Sequence, residues 1–258
     1  MPRTLTLLCV VFLVVPTLIV VVASFTTGAT IVFPPHGFTI HSYTTLLTQP
    51  DVRRPVVDSL FVGVLSVLIA LLAGVPATLA LYRHRLRARV VLNAFLALGF
   101  STPLIVSAIG FLLLFTQLRV LNHLTAVALA VAIVNLPFML WSVAAAIGAH
   151  NPELEEAAAT LGAEEVQQFV FVTLPSLASG IILGSFLMFV FGITEFLVSF
   201  ILVNVNDMTL PVYMFGSLRQ TLSPILAAVG SLYIVVAMLI CVFAVRFGRA
   251  EQYLFRSQ

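Results

Sequence analysis

Long apolar runs alternate with short polar islands along this chain, and the lengths of the runs set the first expectation. Six stretches qualify as bilayer-crossing helices, roughly 5–23, 56–81, 90–116, 122–147, 176–203 and 224–246. A hydrocarbon core of about 30 Å takes about 20 residues of α-helix. The second, third and fifth runs are long enough to cross with tilt. Lipid supplies no hydrogen-bond partners, so such runs satisfy their backbone internally, as helices. The pattern predicts an all-α transmembrane protein of six spans. No internal repeat or low-complexity linker interrupts it, so residues 1–258 read as a single domain. The first run, Leu5 to Ala23, is longer than the about 7–15 residues of a signal-peptide core, so an uncleaved first span is expected.

Composition strengthens this picture. The chain is 61% hydrophobic and 9% charged, against about 25% charged residues in a soluble domain. A net charge of +2, with the arginines split among loops, gives no footprint for nucleic acid. All twelve basic residues are Arg. A Walker A loop needs a Lys on the nucleotide phosphates, so any ATP hydrolysis must occur on another subunit. Cys9 and Cys241 lie within apolar runs and behave as small hydrophobes. The five His are scattered and form no HExxH pair. No metal site and no intramembrane enzyme signature is visible.

Arginine bias sets the orientation. With the N-terminus inside, the cytoplasmic loops hold Arg3, Arg83, Arg85, Arg87, Arg89, Arg246, Arg249 and Arg256, eight against four outside. Both termini are then cytoplasmic, and so is the polar island 148–175. Segments 24–55 and 204–223 face outward and are rich in turn signals; each reads as a contact for an external partner or as an ordinary connecting loop.

The island 148–175 carries a helix with both ends marked. Asn151 is a good N-cap and Pro152 is tolerated at the first helical position. Glu153, Glu155 and Glu156 follow, where the helix dipole favours acids. Ala157, Ala158, Ala159 and Leu161 are strong helix formers. Gly162 can end the helix at positive φ. A second helical stretch, about 163–173, leads to Leu174-Pro175, where the proline disfavours helical geometry at Leu174 and predicts a corner.

The order Glu156-Ala157-Ala158, three residues, Gly162, nine residues, Val172, one residue, Leu174-Pro175 resembles the EAA loop of binding-protein-dependent ABC importer permeases. The resemblance covers nearly the whole chain and is most similar to the second permease of spermidine/putrescine-type importers and relatives such as aminoethylphosphonate and opine importers. Ser24-Phe25, Ala80-Leu81-Tyr82-Arg83, Thr209-Leu210-Pro211 and Ser223-Pro224 match as well. The resemblance implies a six-span type I importer bundle in a bacterial inner (plasma) membrane. It implies two ATPase copies that carry ATP and magnesium, a second permease that is a different chain, and a soluble solute-binding protein. This chain itself would hold no cofactor. Glu155, Glu156, Ala157, Ala158, Gly162, Leu174 and Pro175 are then the residues that couple to the ATPase. One departure stands out: relatives often carry basic residues after the glycine, where this chain has Glu164 and Glu165.

A path through the membrane is expected around Glu195, since an intramembrane carboxylate is costly unless it faces a cavity or a partner. Thr194 flanks it, Ser199 shares its helix face at i+4, and Asn135 and Gln117 are further polar candidates. Polyamine importers carry an acidic pair in the corresponding stretch; this chain departs from that with Thr194-Glu195, only one acid, and the resemblance leaves a polyamine-like cation or a zwitterion as the solute. The alternative function is a proton-coupled secondary transporter with Glu195 as the titrating group, and the other role open to Glu195 is structural pairing with a neighbouring helix. Pro103 and Pro137 are expected to break or kink their spans. Ser176, Gly180 and Gly184 form a small-residue face suited to close packing, against the partner permease or within this chain.

Overall fold

The computed structural model describes residues 2–32, 34–83, 91, 94, 102–120, 124–204 and 207–254. Regular structure among them is helical, apart from one isolated antiparallel bridge between Thr26 and Phe38. In chain order the helices are α1 (Pro2–Ala23), α2 (His41–Thr48), α3 (Pro50–Arg83), α4 (Leu104–Gln117), α5 (Leu124–Ala149), α6 (Glu153–Thr160), α7 (Glu165–Ser176), α8 (Ala178–Thr194), α9 (Leu197–Leu202), α10 (Leu210–Leu218) and α11 (Pro224–Leu254). Among the described residues, α1, α3 and α5 are each long and apolar enough to cross a bilayer, and α7 with α8 reaches that length and hydropathy only as a pair bent by 61°. Leu104–Gln117 and Pro224–Leu239 are shorter apolar stretches. Much of the expected third span, and Arg85, Arg87, Arg89 and Arg256 of the expected cytoplasmic cluster, lie outside the described residues.

Helices α3, α5 and α8 form the centre of the molecule, where Ala70, Ala132, Met139, Val143 and Met188 are all but inaccessible. Buried alanines at 126, 128, 130 and 132 of α5 let backbones on more than one side approach closely. The small-residue face of α8 packs within this chain: a Cβ at Gly180 would stand 2.6 Å from the Ser142 carbonyl oxygen, and one at Gly184 2.7 Å from Met139 Sδ. Gly180→Ala therefore forces α8 away from α5 and is expected to destabilise the fold by about 1–3 kcal/mol, the usual range for overpacking. The thermal midpoint of the detergent-solubilised protein is the measurement. Gly216→Ala is the control, since its Cβ would meet nothing within 4 Å.

The structure differs from the sequence expectation in four places. Pro103 precedes α4 with extended geometry (φ −54°, ψ 125°) and starts that helix instead of kinking it. The two outward segments, expected as loops, each carry a short helix, α2 and α10, and their residues Leu46 and Leu210 are buried with Val52 and Val229. The segments are tied together where the Ile31 amide donates to the Leu222 carbonyl at 2.8 Å, and to α3 where the Leu210 amide donates to Ser59 Oγ at 2.7 Å.

The corner at the start of the fifth span falls at Leu177, just beyond the expected Leu174-Pro175, and turns the axis by 61°. Leu174 is helical (φ −61°, ψ −44°) because residues Phe169–Thr173 form a π-helical turn. In a regular α-helix the Pro175 ring would press on the carbonyl of Phe171. The widened turn, in which the Leu174 amide reaches back to the Phe169 carbonyl, relieves that crowding.

The fifth span itself is broken. Helix α8 ends at Thr194, Glu195 is extended (φ −66°, ψ 116°), and α9 starts at Leu197. The run 176–203 was expected as one helix. Tertiary bonds hold the break open: the Tyr233 hydroxyl of α11 donates to the Ile193 carbonyl at 2.8 Å, satisfying a helix-end acceptor that lipid could not.

Candidate functional site

Helix α6 is built by local capping. Asn151 Oδ1 accepts from the Glu153 amide at 3.1 Å, and Pro152 (φ −65°) sits in the first turn where no amide is required. At the other end the Gly162 amide donates to the Ala159 carbonyl and the Ala163 amide to the Ala158 carbonyl, both at 3.0 Å. These two bonds with Gly162 at φ +88° make a Schellman termination. The N-cap of the next helix, Glu164, follows two residues later, and Gln167 Oε1 accepts from its amide at 3.0 Å. The result is a rigid, doubly capped rod joined through Gly162 to α7.

The seven residues expected to couple to an ATPase divide into two groups. Glu156, Ala157, Gly162, Leu174 and Pro175 are exposed, and Ala158 is half-buried. Leu161 (88% exposed) and Val166 (71%) extend an apolar outer surface beside them. Glu155 turns inward instead. Its Oε1 accepts from the Thr173 hydroxyl and lies 3.4 Å from His150 Nε2, while His150 Nδ1 meets Ser176 Oγ at 2.8 Å. The Ser176 hydroxyl also donates to the Thr173 carbonyl at 2.8 Å. This knot joins the end of α5, α6 and the α7–α8 corner, and it borders a cavity of about 270 Å³ that Tyr82 and Ile147 close from the bundle side. Sequence reasoning missed His150 and Thr173, because nothing local signals a bond that spans 18 residues, or one that spans 26.

The four path residues do not form one cluster. Glu195, half-buried, uses Oε1 to accept from the Leu197 and Val198 amides at 3.0 and 3.2 Å, capping α9 as an acid at a helix N-terminus does. Thr194 is exposed and its hydroxyl donates to the Val190 carbonyl. Ser199 is fully buried, and its hydroxyl has no partner among the described residues. Asn135 is 4% exposed inside α5 and donates to the Val131 carbonyl. No hydrogen bond joins any two of the four among the described residues. Gln117 closes the exposed end of α4.

Residues 66–250 match the family described as binding-protein-dependent transport system inner membrane component, and the chain belongs to that family. It is 25% identical to the spermidine/putrescine transport system permease protein PotC of Escherichia coli, over 90% of this chain and 87% of PotC. It is 31% identical to the sulfate transport system permease protein CysT of Salmonella typhimurium, over 75% of this chain and 74% of that protein. A solved bacterial ABC transporter that imports the acidic polysaccharide alginate shares the fold, with a TM-score of 0.68 over 96% of this chain and 94% of that one at 18% identity.

The chain is thus a multi-pass membrane permease subunit of an ABC importer, with an all-α type I fold, and not an enzyme. Hydrolysis of ATP belongs to a separate subunit, consistent with a sequence that has no Lys for a nucleotide loop. Membership also sets aside the gradient-driven carrier as the reading of Glu195. It implies an ATPase, a second permease and a binding protein as partners.

Proposed function

We propose that this chain forms half of a translocation path for a small polar solute, a polyamine-like cation or a zwitterion, and that α6 is the element through which ATPase closure reaches it. The observation that carries this reading is the division of α6 into an exposed outer surface around Gly162 and an inner surface tied through Glu155 to Thr173 and His150. A rod held by the membrane bundle on one side and open on the other is suited to transmit force. The partners in this reading are an ATPase dimer carrying ATP and magnesium, a second permease encoded as a different chain, and an external binding protein. Both termini stand on the cytoplasmic side of the inner membrane.

The solute class rests on Glu195. PotC is named for polycations and CysT for a dianion, so the relatives' names do not set its charge. A carboxylate within the membrane-crossing region favours a positively charged group.

Glu195→Gln is the direct test. The glutamine side-chain oxygen can still accept from the Leu197 and Val198 amides, so the substitution removes charge while keeping the cap. Uptake of labelled putrescine by the complete importer in proteoliposomes is expected to fall at least about ten-fold, the scale of one charge-assisted contact. An unchanged rate would assign Glu195 to capping alone.

A further inference from the structure

The break in the fifth span is one missing hydrogen bond whose two ends are both taken up elsewhere. A continuous helix would carry a bond from the Leu197 amide to the Ile193 carbonyl, and the extended backbone at Glu195 removes it. The donor end is taken by Glu195 itself, whose Oε1 accepts from the Leu197 amide at 3.0 Å. The acceptor end is taken by Tyr233, whose hydroxyl donates to the Ile193 carbonyl at 2.8 Å. The position of the Glu195 carboxylate and the bond made by Tyr233 are therefore two halves of one arrangement.

The Tyr233 hydroxyl is in turn held from two other elements. It meets the side chain of Ser59 in α3, and Ser59 Oγ accepts from the Leu210 amide at the start of α10 at 2.7 Å. With the Leu210 N–H directed at Ser59, the Ser59 proton at Tyr233 and the Tyr233 proton at Ile193, the four groups form a chain running in one direction. Bonds in such a chain strengthen one another. Ser59, Leu210 and Ile193 are buried, and all four residues line one apolar cavity of about 70 Å³. The carbonyl cannot retreat from the hydroxyl, because α8 is pressed on α3 at this level. A Cβ at Gly192 would stand 2.9 Å from Gly63 Cα, and one at Gly63 2.5 Å from Ile193 Cγ2. Helix α9, beyond the break, packs chiefly on α4 instead.

We propose that Tyr233 is a positioning residue for translocation. By taking the Ile193 carbonyl it holds the fifth span broken, and so keeps the Glu195 carboxylate at the head of α9. Ser59 fixes the hydroxyl in place. This rests on the reading of Glu195 as a path residue and adds the group that places it. Without the hydroxyl, the Ile193 carbonyl is left in an apolar interior with no donor, and the interrupted helix regains that bond by closing. The Leu197 amide then leaves Glu195 for Ile193, and the carboxylate loses its place.

The test uses the complete importer, in nanodiscs for amide hydrogen exchange read by mass spectrometry and in proteoliposomes for uptake of labelled putrescine. In Tyr233→Phe, exchange across residues 195–198 is expected to slow by about five-fold or more as the helix closes, and uptake to fall several-fold. In the Glu195→Gln background the same substitution should change uptake by less than about two-fold, because the charge that Tyr233 places is already gone. Ser59→Ala should reproduce part of both effects. Ser59→Thr keeps the hydroxyl, the cavity beside it has room for the added methyl, and it should restore them. Unchanged or faster exchange in Tyr233→Phe overturns the positioning role, since mere loosening opens the span instead of closing it. So does an equal fractional loss of uptake in the wild-type and Glu195→Gln backgrounds. Normal uptake in Glu195→Gln alone would instead remove the path reading, and the role of Tyr233 in transport with it.

Discussion

Gly162→Asp is expected to abolish uptake while leaving the chain inserted and folded. A Cβ at this position would meet nothing within 4 Å, so no packing is disturbed. The remaining internal cost is the left-handed backbone at φ +88°, about 1–2 kcal/mol for most residues and less for Asp, which tolerates that region. The new carboxylate stands in open space next to Leu161, on the outer surface of the helix. Its expected effect is therefore on the partner that meets this surface: the ATPase should no longer co-purify, and both uptake and stimulated ATP hydrolysis should be lost. Glu156→Lys should act in the same way, since reversing an exposed charge in the first turn costs the helix only about 0.3–1 kcal/mol. Normal uptake in either variant would sink the docking role of α6.

The second large effect is expected at the inner surface, and it should look different. Glu155→Ala leaves the buried Thr173 hydroxyl only its longer bond to the Gln168 carbonyl, 3.5 Å, and His150 without its carboxylate. The lost hydrogen bond costs about 0.5–1.5 kcal/mol, enough to loosen a joint without unfolding the bundle. The outer surface of α6 is untouched, so the ATPase should still bind and hydrolyse ATP. What should fall is the number of solute molecules moved per ATP, by about ten-fold or more, as the stroke is no longer passed to α8. Thr173→Val should reproduce the loss. Glu155→Gln, whose oxygen can still accept from Thr173, should be intermediate. Measuring uptake and hydrolysis together in proteoliposomes separates the two surfaces: Gly162→Asp loses both, Glu155→Ala loses only transport. Equal transport per ATP in wild type and Glu155→Ala would show that α6 acts through some other contact.

Much of this architecture was legible because its causes are local. The apolar lengths of α1, α3 and α5 follow from bilayer thickness. The two ends of α6 follow from Asn151 and Gly162, whose side-chain acceptor and positive φ act within a few residues of themselves. Features held by distant residues were not legible. The break at Glu195 lies within a long hydrophobic run, with no proline to mark it and only Gly192 three residues before. It exists because Tyr233, 40 residues on, satisfies the Ile193 carbonyl and because Glu195 re-caps the chain. Helices α2 and α10 are eight and nine residues long, too short for a periodic pattern to stand out from a loop. Glu155 was grouped with Glu156 because they are neighbours, yet adjacent helical residues point about 100° apart, and only the packing of α7 shows that one faces in. The corner was placed at Pro175 on a sound general rule, but the π turn ahead of it supplies the room that a regular helix lacks.

That π turn gives the length of the loop a meaning of its own. A turn spanning Phe169–Thr173 holds one residue more than an α-helix would place there. The nine residues between Gly162 and Val172 are therefore an angular setting as well as a distance. Deleting one of them would turn the widened turn into an ordinary one, leave the helices on either side in phase, and press the Pro175 ring on the carbonyl four residues before it. Carried in a regular α-helix instead, the extra residue would rotate everything beyond it by about 100° and swing Thr173 away from Glu155. In such a segment a silent-looking insertion or deletion acts like a change of gear timing, which gives selection a reason to count residues there even where it is indifferent to their identity.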